Sequence, residues 1–185
     1  MRVAVYSGSF NPLHIGHLAI IRYLIDAGGF DMVYLVVSPK NPLKDNIVAD
    51  SAQKRYEAAV EAVNRHFEIG VYVDPIELSM PQPHYTLRTL DALQARESEN
   101  EFVLVIGADN LADIRRWKNY QDILKHYGVL VYPREGFDQN EIKERLIEED
   151  ASYRISLIDS PLVNISSTMI REGLASGEDM SSFLM

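Results

Sequence analysis

The sequence predicts an α/β protein with a mainly parallel sheet and helices on both of its faces. Continuous apolar runs, typical of buried strands, alternate along the chain with segments of helical periodicity. Hydrophobic residues make up 46% of the 185 residues and charged residues 24%, so the chain can bury a sizeable core. No repeat, low-complexity tract or linker interrupts the alternation, which predicts one domain over residues 1–185.

The predicted elements follow one another in a regular order. Strands are predicted at 3–6, 33–37, 68–73, 101–106, 128–132 and 155–158. Helices are predicted at 18–25, 51–66, 86–96, 119–126, 141–149 and 167–175, with Ser51 as the N-cap of the second. Ligands of such sheets bind outside the carboxyl ends of the strands. Polar residues that directly follow a strand are therefore the functional candidates.

Composition argues against several classes of protein. The net charge of −9 argues against nonspecific binding of nucleic acid, which needs a basic surface. The absence of cysteine excludes disulfides and thiolate chemistry. No apolar stretch approaches the ~18 residues of a membrane span. Because Met1 leads directly into the first strand, we expect no cleaved signal peptide, and a cytoplasmic location is the default.

The junction between the first strand and the first helix is the most informative segment, Gly-Ser-Phe-Asn-Pro-Leu-His-Ile-Gly-His at 8–17. A helix that starts from such a loop presents backbone N–H groups and the positive end of its dipole, which favour an anion. Gly8 and Gly16 allow the backbone to come close to a phosphate. His14 and His17 add donors where charge would build up on a reacting phosphate. The junction therefore predicts a polyphosphate site.

The two histidines of this junction are also compatible with zinc binding or with an ordinary structural role. The His-x-x-His spacing occurs in zinc sites, but structural zinc needs about four ligands. The remaining histidines lie far away in sequence: His66, His84 and His126. Either histidine alone could be a surface or core residue without a ligand, but the presence of both in one Gly- and Pro-containing junction disfavours this.

Charged side chains follow two other predicted strands. Lys40 and Lys44 come after the second strand, and Asp109 comes after the fourth. The Asp109 carboxylate could accept hydrogen bonds from ribose hydroxyls, or it could cap the next helix. The lysines could reach a phosphate, or they could lie in a solvated loop.

Three further segments allow both a structural and a functional interpretation. Thr86 could cap the helix that it begins, or the N–H groups of that helix could hold a carboxylate. Trp117 could be a core or interface aromatic, or a surface on which a ring stacks. Hydroxyls at 166–168 precede Arg171 by about one turn, a spacing that by itself indicates a helix cap.

Residues 7–17 resemble the G-G-[ST]-F-[DN]-P-x-H-x-G-H signature of the nucleotidyltransferase superfamily of adenylyl and cytidylyl transferases, with Ser7 where glycine is common. The resemblance continues in family order to residue 177 and is strongest to the bacterial nicotinate-nucleotide adenylyltransferases. It implies a single Rossmann-like, doubly wound domain. It also implies adenylyl transfer from ATP to nicotinate mononucleotide, which gives deamido-NAD and pyrophosphate in NAD biosynthesis, with Mg²⁺ carried by ATP.

The resemblance also implies roles for individual residues. The implied catalytic residues are His14, His17, Lys44 and Arg171. The implied ATP-binding residues are Gly8, Ser9, Phe10, Gly16, His17, Gly107, Asp109, Ser166, Ser167, Thr168 and Arg171. The implied mononucleotide-binding residues are Tyr85, Thr86, Trp117 and Arg134. In the family, the tryptophan stacks on the pyridine ring and the Tyr-Thr turn binds the nicotinate carboxylate.

The chain departs from the family pattern at two further positions besides Ser7, and two alternative functions stay open. Leu43 stands where a histidine often precedes the lysine, and Glu135 stands where proline follows the arginine. Another adenylyltransferase, such as the pantetheine-phosphate enzyme, is one alternative, and a noncatalytic nucleotide-binding regulator is the other. The expected partners are ATP and nicotinate mononucleotide, with neither nucleic acid nor a membrane, and a homo-oligomer stays open.

Overall fold

The computed structural model describes residues 1–39, 48–159 and 166–185. Its strands are β1 (Arg2–Gly8), β2 (Met32–Val37), β3 (Val71–Asp74), β4 (Glu101–Gly107), β5 (Val129–Tyr132) and β6 (Ile155–Leu157). Its α-helices are α1 (Ile15–Asp26), α2 (Val48–His66), α3 (Ile76–Ser79), α4 (Thr86–Arg96), α5 (Ala108–Ala112), α6 (Tyr120–Asp122), α7 (Gln139–Glu149) and α8 (Ser167–Ala175). In the part of the chain that the structure describes, no helix has the length and apolar character that crossing a membrane requires.

The six strands form one sheet in the order β3-β2-β1-β4-β5-β6. β1 pairs in parallel with β4, with Arg2 opposite Glu101 and Tyr6 opposite Val105. The pairs β2 with β3, β4 with β5 and β5 with β6 are parallel as well. The strand order runs outward from the centre in both directions, so that the topological switch point lies between β1 and β4. The predicted α/β fold with a parallel, doubly wound sheet is confirmed.

The described chain divides into two compact units. The first contains residues 1–6 and 81–162, and the second contains residues 7–80 and 163–185. The prediction of a single domain over residues 1–185 stays a prediction.

Each unit has a core of apolar side chains with no solvent exposure. In the first unit these include Leu90, Leu93, Leu111, Ile114, Ile123, Leu124 and Leu146. In the second unit they include Ile21, Leu24, Val33, Leu35, Val36, Val37 and Ile170. Removing this apolar surface from water is the main favourable contribution to folding, at about 25 cal/mol per Å².

Several predicted boundaries are wrong, while others hold to the residue. α2 begins at Val48, so Ser51 lies inside the helix and is not its N-cap. The third strand begins at Val71 because Gly70, with φ +90°, ends a turn just before it. The helix predicted at 119–126 is split into α6 and a π-helical turn at Ile123–Tyr127. The predictions for α4 and α8 are confirmed at both ends.

Candidate active site

The predicted polyphosphate site begins where α1 starts, in the second unit. His14 is the N-cap of α1, and its Nδ1 accepts the N–H of Gly16 at 3.1 Å. His17 makes the reciprocal hydrogen bond, in which its Nδ1 accepts the backbone N–H of His14 at 3.1 Å. The two imidazole rings stack with their centroids 3.7 Å apart. The pair forms a capping box, in which two backbone donors at the helix start are satisfied reciprocally.

This capping box determines which imidazole nitrogen can donate. A ring nitrogen that accepts a hydrogen bond carries no proton, so these bonds assign each histidine as a neutral ring protonated on Nε2. In that state the ring proton of each histidine is on Nε2. Gly16 is expected to let the backbone come close to a phosphate, but its N–H is used by the cap. At this helix start the Gly16 N–H is therefore occupied within the structure, and the role of the imidazoles toward a phosphate stays a prediction.

The loop before His14 has a strained backbone that is fixed by packing. Phe10 has φ +45°, in the left-handed region that side chains other than glycine rarely adopt. The residue is buried, with an exposed fraction of only 5%. A Cβ on Gly8 would come within 3.2 Å of its ring. The glycine at position 8 therefore makes room for Phe10, a role that the anion argument did not predict.

Ser7, which departs from the family signature, takes part in a polar network below this loop. Its Oγ lies 3.0 Å from Ser38 Oγ and donates to Glu77 Oε2 at 3.4 Å. Ser38 Oγ also donates to Glu77 Oε2, at 3.3 Å. The Glu77 side chain is only 4% exposed. A hydroxyl at position 7 thus helps to satisfy a buried carboxylate, which a glycine could not do.

Arg55, in α2, is a residue of this site that the motifs did not predict. Its side chain is 5% exposed, and its Nη1 donates to Ser9 O at 2.6 Å and to Ser38 O at 2.9 Å. One guanidinium thus joins the loop after β1 to the end of β2. The sequence does contain a signal for a special role of Arg55: it lies between Ala52 and Ala59, on the buried side of the helix, where an arginine is unusual.

The C-terminal motif contacts the N-terminal loop from 155 or more residues away. Ser167 Oγ donates to Pro12 O at 2.9 Å. Arg171 Nη1 donates to Asn11 O at 2.6 Å, and its Nη2 donates to Thr168 Oγ1 at 3.3 Å. The two motifs that the sequence singled out are therefore brought together in the second unit.

Ser166 has the structural role that its spacing indicated. It is the N-cap of α8, and its side chain accepts the N–H of Met169 at 3.1 Å. Lys44, implied to be catalytic, and Lys40, which the sequence leaves open between a phosphate contact and a solvated loop, both lie outside the described residues. Within the described ranges, no group of three or more His, Asp or Glu side chains could hold a metal ion.

Asp109, in the first unit, lies in the first turn of α5 directly after β4. The N-cap of α5 is Gly107, so Asp109 does not cap the helix. A Cβ on Gly107 would collide with Asp109 Oδ1, and the glycine therefore makes space for this carboxylate. Arg134 Nε lies 3.5 Å from Asp109 Oδ1, close enough for an ion pair. The pair lacks hydrogen-bond geometry, so Oδ1 has no hydrogen-bond partner within the described ranges.

The residues predicted to bind the mononucleotide base also belong to the first unit. Tyr85 is the N-cap of α4 and makes no side-chain capping bond, while Thr86 is the first helical residue and not the cap. Trp117 is partly exposed, at the end of a 3₁₀ turn. The next residue, Lys118, places Nζ 4.7 Å from the centroid of the Tyr85 ring. This contact places the residue after Trp117 beside the N-cap residue of α4.

The geometry agrees with what comparison with known proteins shows. A model of the cytidylyltransferase-like family matches residues 5–173. The chain belongs to this family. A protein of Flavobacterium psychrophilum named "Probable nicotinate-nucleotide adenylyltransferase" is 38% identical over 186 residues, covering 100% of this chain and 92% of its own length. A protein of Bacteroides fragilis with the same name is 37% identical over 183 residues, covering 99% of this chain and 87% of its own length. The resemblance stated from the motifs is confirmed.

Solved structures show the same fold at lower sequence identity. The nicotinic acid mononucleotide adenylyltransferase of Plasmodium falciparum complexed with NaAD has a TM-score of 0.76 and 18% identity, covering 97% of this chain and 87% of that one. Its complex with APC has a TM-score of 0.74 and 17% identity, with coverages of 99% and 90%. At these identities the likeness is evidence for the fold alone.

Substitution of His14 separates its capping role from its donor role. His14→Ala should lower the free energy of unfolding by about 0.5–2 kcal/mol because the N-cap is lost, whereas His14→Asn restores a good cap and should stay near the wild type. Both variants should bind pyrophosphate about 10-fold more weakly, because each lacks the Nε2–H donor. Urea unfolding and titration calorimetry measure the two effects. An Asn variant as unstable as the Ala variant would contradict the capping role, and wild-type pyrophosphate affinity would contradict the donor role.

Proposed function

We propose that this protein transfers the adenylyl group of ATP to nicotinate mononucleotide, which forms deamido-NAD and releases pyrophosphate. The observation that carries the proposal is the junction of the two motifs: Ser167 and Arg171 bind the loop carbonyls of Pro12 and Asn11, beside the stacked histidines. The relatives' shared name, nicotinate-nucleotide adenylyltransferase, supports this assignment over the pantetheine-phosphate alternative.

The reaction needs little covalent chemistry from the protein. A phosphate oxygen of the mononucleotide attacks the α-phosphorus of ATP, and the bond from that phosphorus to the bridging oxygen of pyrophosphate breaks. The nucleophile is already anionic, so no general base is needed to activate it. Catalysis then consists of positioning the two phosphates and stabilising the charge that develops on them.

The residues of the second unit are assigned to ATP. His14 and His17 would donate from Nε2–H to the α-phosphate and to the leaving oxygens. Arg171, with the hydroxyls of 166–168, would bind the β- and γ-phosphates, and Lys44 would add a further positive charge. The loop residues Gly8, Ser9, Phe10 and Gly16 would surround the nucleotide.

Mg²⁺ is proposed to arrive on ATP. This ion commonly binds through substrate phosphates and keeps several waters, so it does not require a cage of protein carboxylates. When bound, it would offset negative charge on the departing pyrophosphate.

The residues of the first unit are assigned to the ribose and to the mononucleotide. Asp109, with Gly107, would accept hydrogen bonds from a ribose hydroxyl of ATP. Trp117 would stack on the pyridine ring. Because the start of α4 has no side-chain cap, the N–H groups of the Tyr85–Thr86 turn would bind the nicotinate carboxylate. Arg134 is assigned to the mononucleotide as well, although its described contact is with Asp109.

The decisive experiment compares two mononucleotides at saturating ATP. Backbone donors at a helix start favour a carboxylate over an amide, whose NH₂ group would leave them without an acceptor. We expect kcat/KM for nicotinate mononucleotide to exceed that for nicotinamide mononucleotide by about 30- to 1000-fold. Chromatography of the dinucleotide product and release of pyrophosphate measure both reactions. Equal efficiencies would refute the carboxylate assignment, and no product from either would favour a noncatalytic regulator.

Trp117→Ala should weaken both mononucleotides and leave ATP unaffected. Stacking on an aromatic face does not depend on the substituent of the pyridine ring, and its loss costs about 1–3 kcal/mol, or roughly 5- to 100-fold in KM. Trp117→Phe is the matched control because it keeps an aromatic face and should recover most of the affinity. Initial rates with each substrate varied in turn test this. An unchanged KM for the mononucleotides in the alanine variant would assign Trp117 a purely structural role.

Arg171→Ala should raise the KM for ATP more than that for the mononucleotide. Loss of charge-assisted hydrogen bonds to the β- and γ-phosphates predicts an increase of about 10- to 100-fold. Arg145→Ala is a suitable control, since this exposed arginine pairs only with Glu141 on α7 within the described ranges. Steady-state rates provide the measurement. A selective rise for the mononucleotide would show that the two substrates are assigned to the wrong residues.

A further inference from the structure

A cavity of about 490 Å³ lies between the N-terminal loop and α2, within the second unit. Phe10, Asn11 and Pro12 line one side of it, and Lys54 and Arg55 line the other. Lys54 and Arg55 are the two charged residues among the described lining residues, and both are cations. Such a cavity attracts an anion, because none of its described lining residues has a carboxylate that could neutralise the two positive charges.

The guanidinium of Arg55 has one satisfied edge and one unsatisfied edge. Its Nη1 is used by the carbonyls of Ser9 and Ser38. Its Nε and Nη2 are buried and have no hydrogen-bond partner among the described residues. Leaving buried charged donors unpaired is costly, and native proteins rarely do so. Burial also lowers the pKa of Arg55 from its ordinary value, because the charged form loses hydration. The unpaired edge of the guanidinium therefore needs a hydrogen-bond acceptor that the described residues do not supply.

The unpaired edge has the geometry of an oxyanion receptor. Nε and Nη2 of an arginine point in parallel and bind two oxygens of a phosphate or a carboxylate at once. Lys54 is exposed and adds a mobile point charge at the same cavity. Two adjacent cations, one buried and rigid and one exposed, match a phosphate group that carries more than one negative charge.

We propose that this cavity is a phosphate subsite, in which the Nε–Nη2 edge of Arg55 and the Nζ of Lys54 receive phosphate oxygens of a substrate or of pyrophosphate. The inference rests on the proposed adenylyl transfer and adds two residues to it that the motifs do not contain. Because Nη1 of the same guanidinium holds Ser9 O, a phosphate on the opposite edge is fixed relative to the loop that leads to His14.

The test measures binding directly, for pyrophosphate, ATP and nicotinate mononucleotide in turn. Titration calorimetry is performed on the wild type, Lys54→Met, Arg55→Lys and the control Arg22→Met, an exposed arginine of α1 outside the cavity. Lys54→Met should weaken at least one ligand about 2- to 10-fold. Arg55→Lys keeps the charge but loses the bidentate edge, and it should weaken the same ligand about 10- to 100-fold. The ligand affected identifies the source of the phosphate.

Three outcomes would overturn the subsite. Wild-type affinity of Lys54→Met for all three ligands, with Arg55→Lys alone impaired, would reduce Arg55 to a support for the loop. Equal weakening by Arg22→Met would show a general charge effect. Unchanged binding by both cavity variants would remove the subsite altogether. Dinucleotide synthesis by the wild type is measured separately, so failure of the proposed reaction is distinguished from failure of this subsite.

Discussion

The candidate site depends on three backbone carbonyls of one short loop, those of Ser9, Asn11 and Pro12. Each accepts a hydrogen bond from a side chain that is distant in sequence, and the donors are Arg55, Arg171 and Ser167. A loop with the strained backbone of Phe10 persists only where its surroundings determine its shape. These three bonds help to supply that determination, because each fixes one carbonyl of the loop. Helices α2 and α8 are thereby tied to the loop that precedes α1.

The same loop leads to the histidine pair, whose structural and chemical roles are connected. Each imidazole uses Nδ1 to cap α1, so the cap itself assigns the proton to Nε2. A serine or a glutamate could cap the helix equally well, but neither would supply a neutral N–H donor at its outer end. Histidine at these two positions therefore combines the capping bond with an Nε2–H group, which the proposed function assigns to the phosphates.

In the first unit, a glycine and an ion pair determine how the Asp109 carboxylate is presented. Gly107 makes space for the carboxylate, and Arg134 lies at ion-pair distance from it without a hydrogen bond. Oδ1 thus keeps hydrogen-bonding capacity that a fully bonded salt bridge would use up. The contact also joins a residue assigned to the ATP ribose with one assigned to the mononucleotide, a proximity that their separate motifs did not indicate.

The sequence by itself determined the alternation of strands and helices, the parallel sheet and the two motifs that mark the family. These features depend on local periodicity and on residue types at short spacing. The boundaries of α4 and α8 followed for the same reason. Only the tertiary structure decided that Ser51 lies inside α2, that Gly16 N–H is used by a cap, and that Arg55 is buried against Ser9 O. Such contacts join segments tens of residues apart, and no local pattern records which carbonyl a distant side chain will reach.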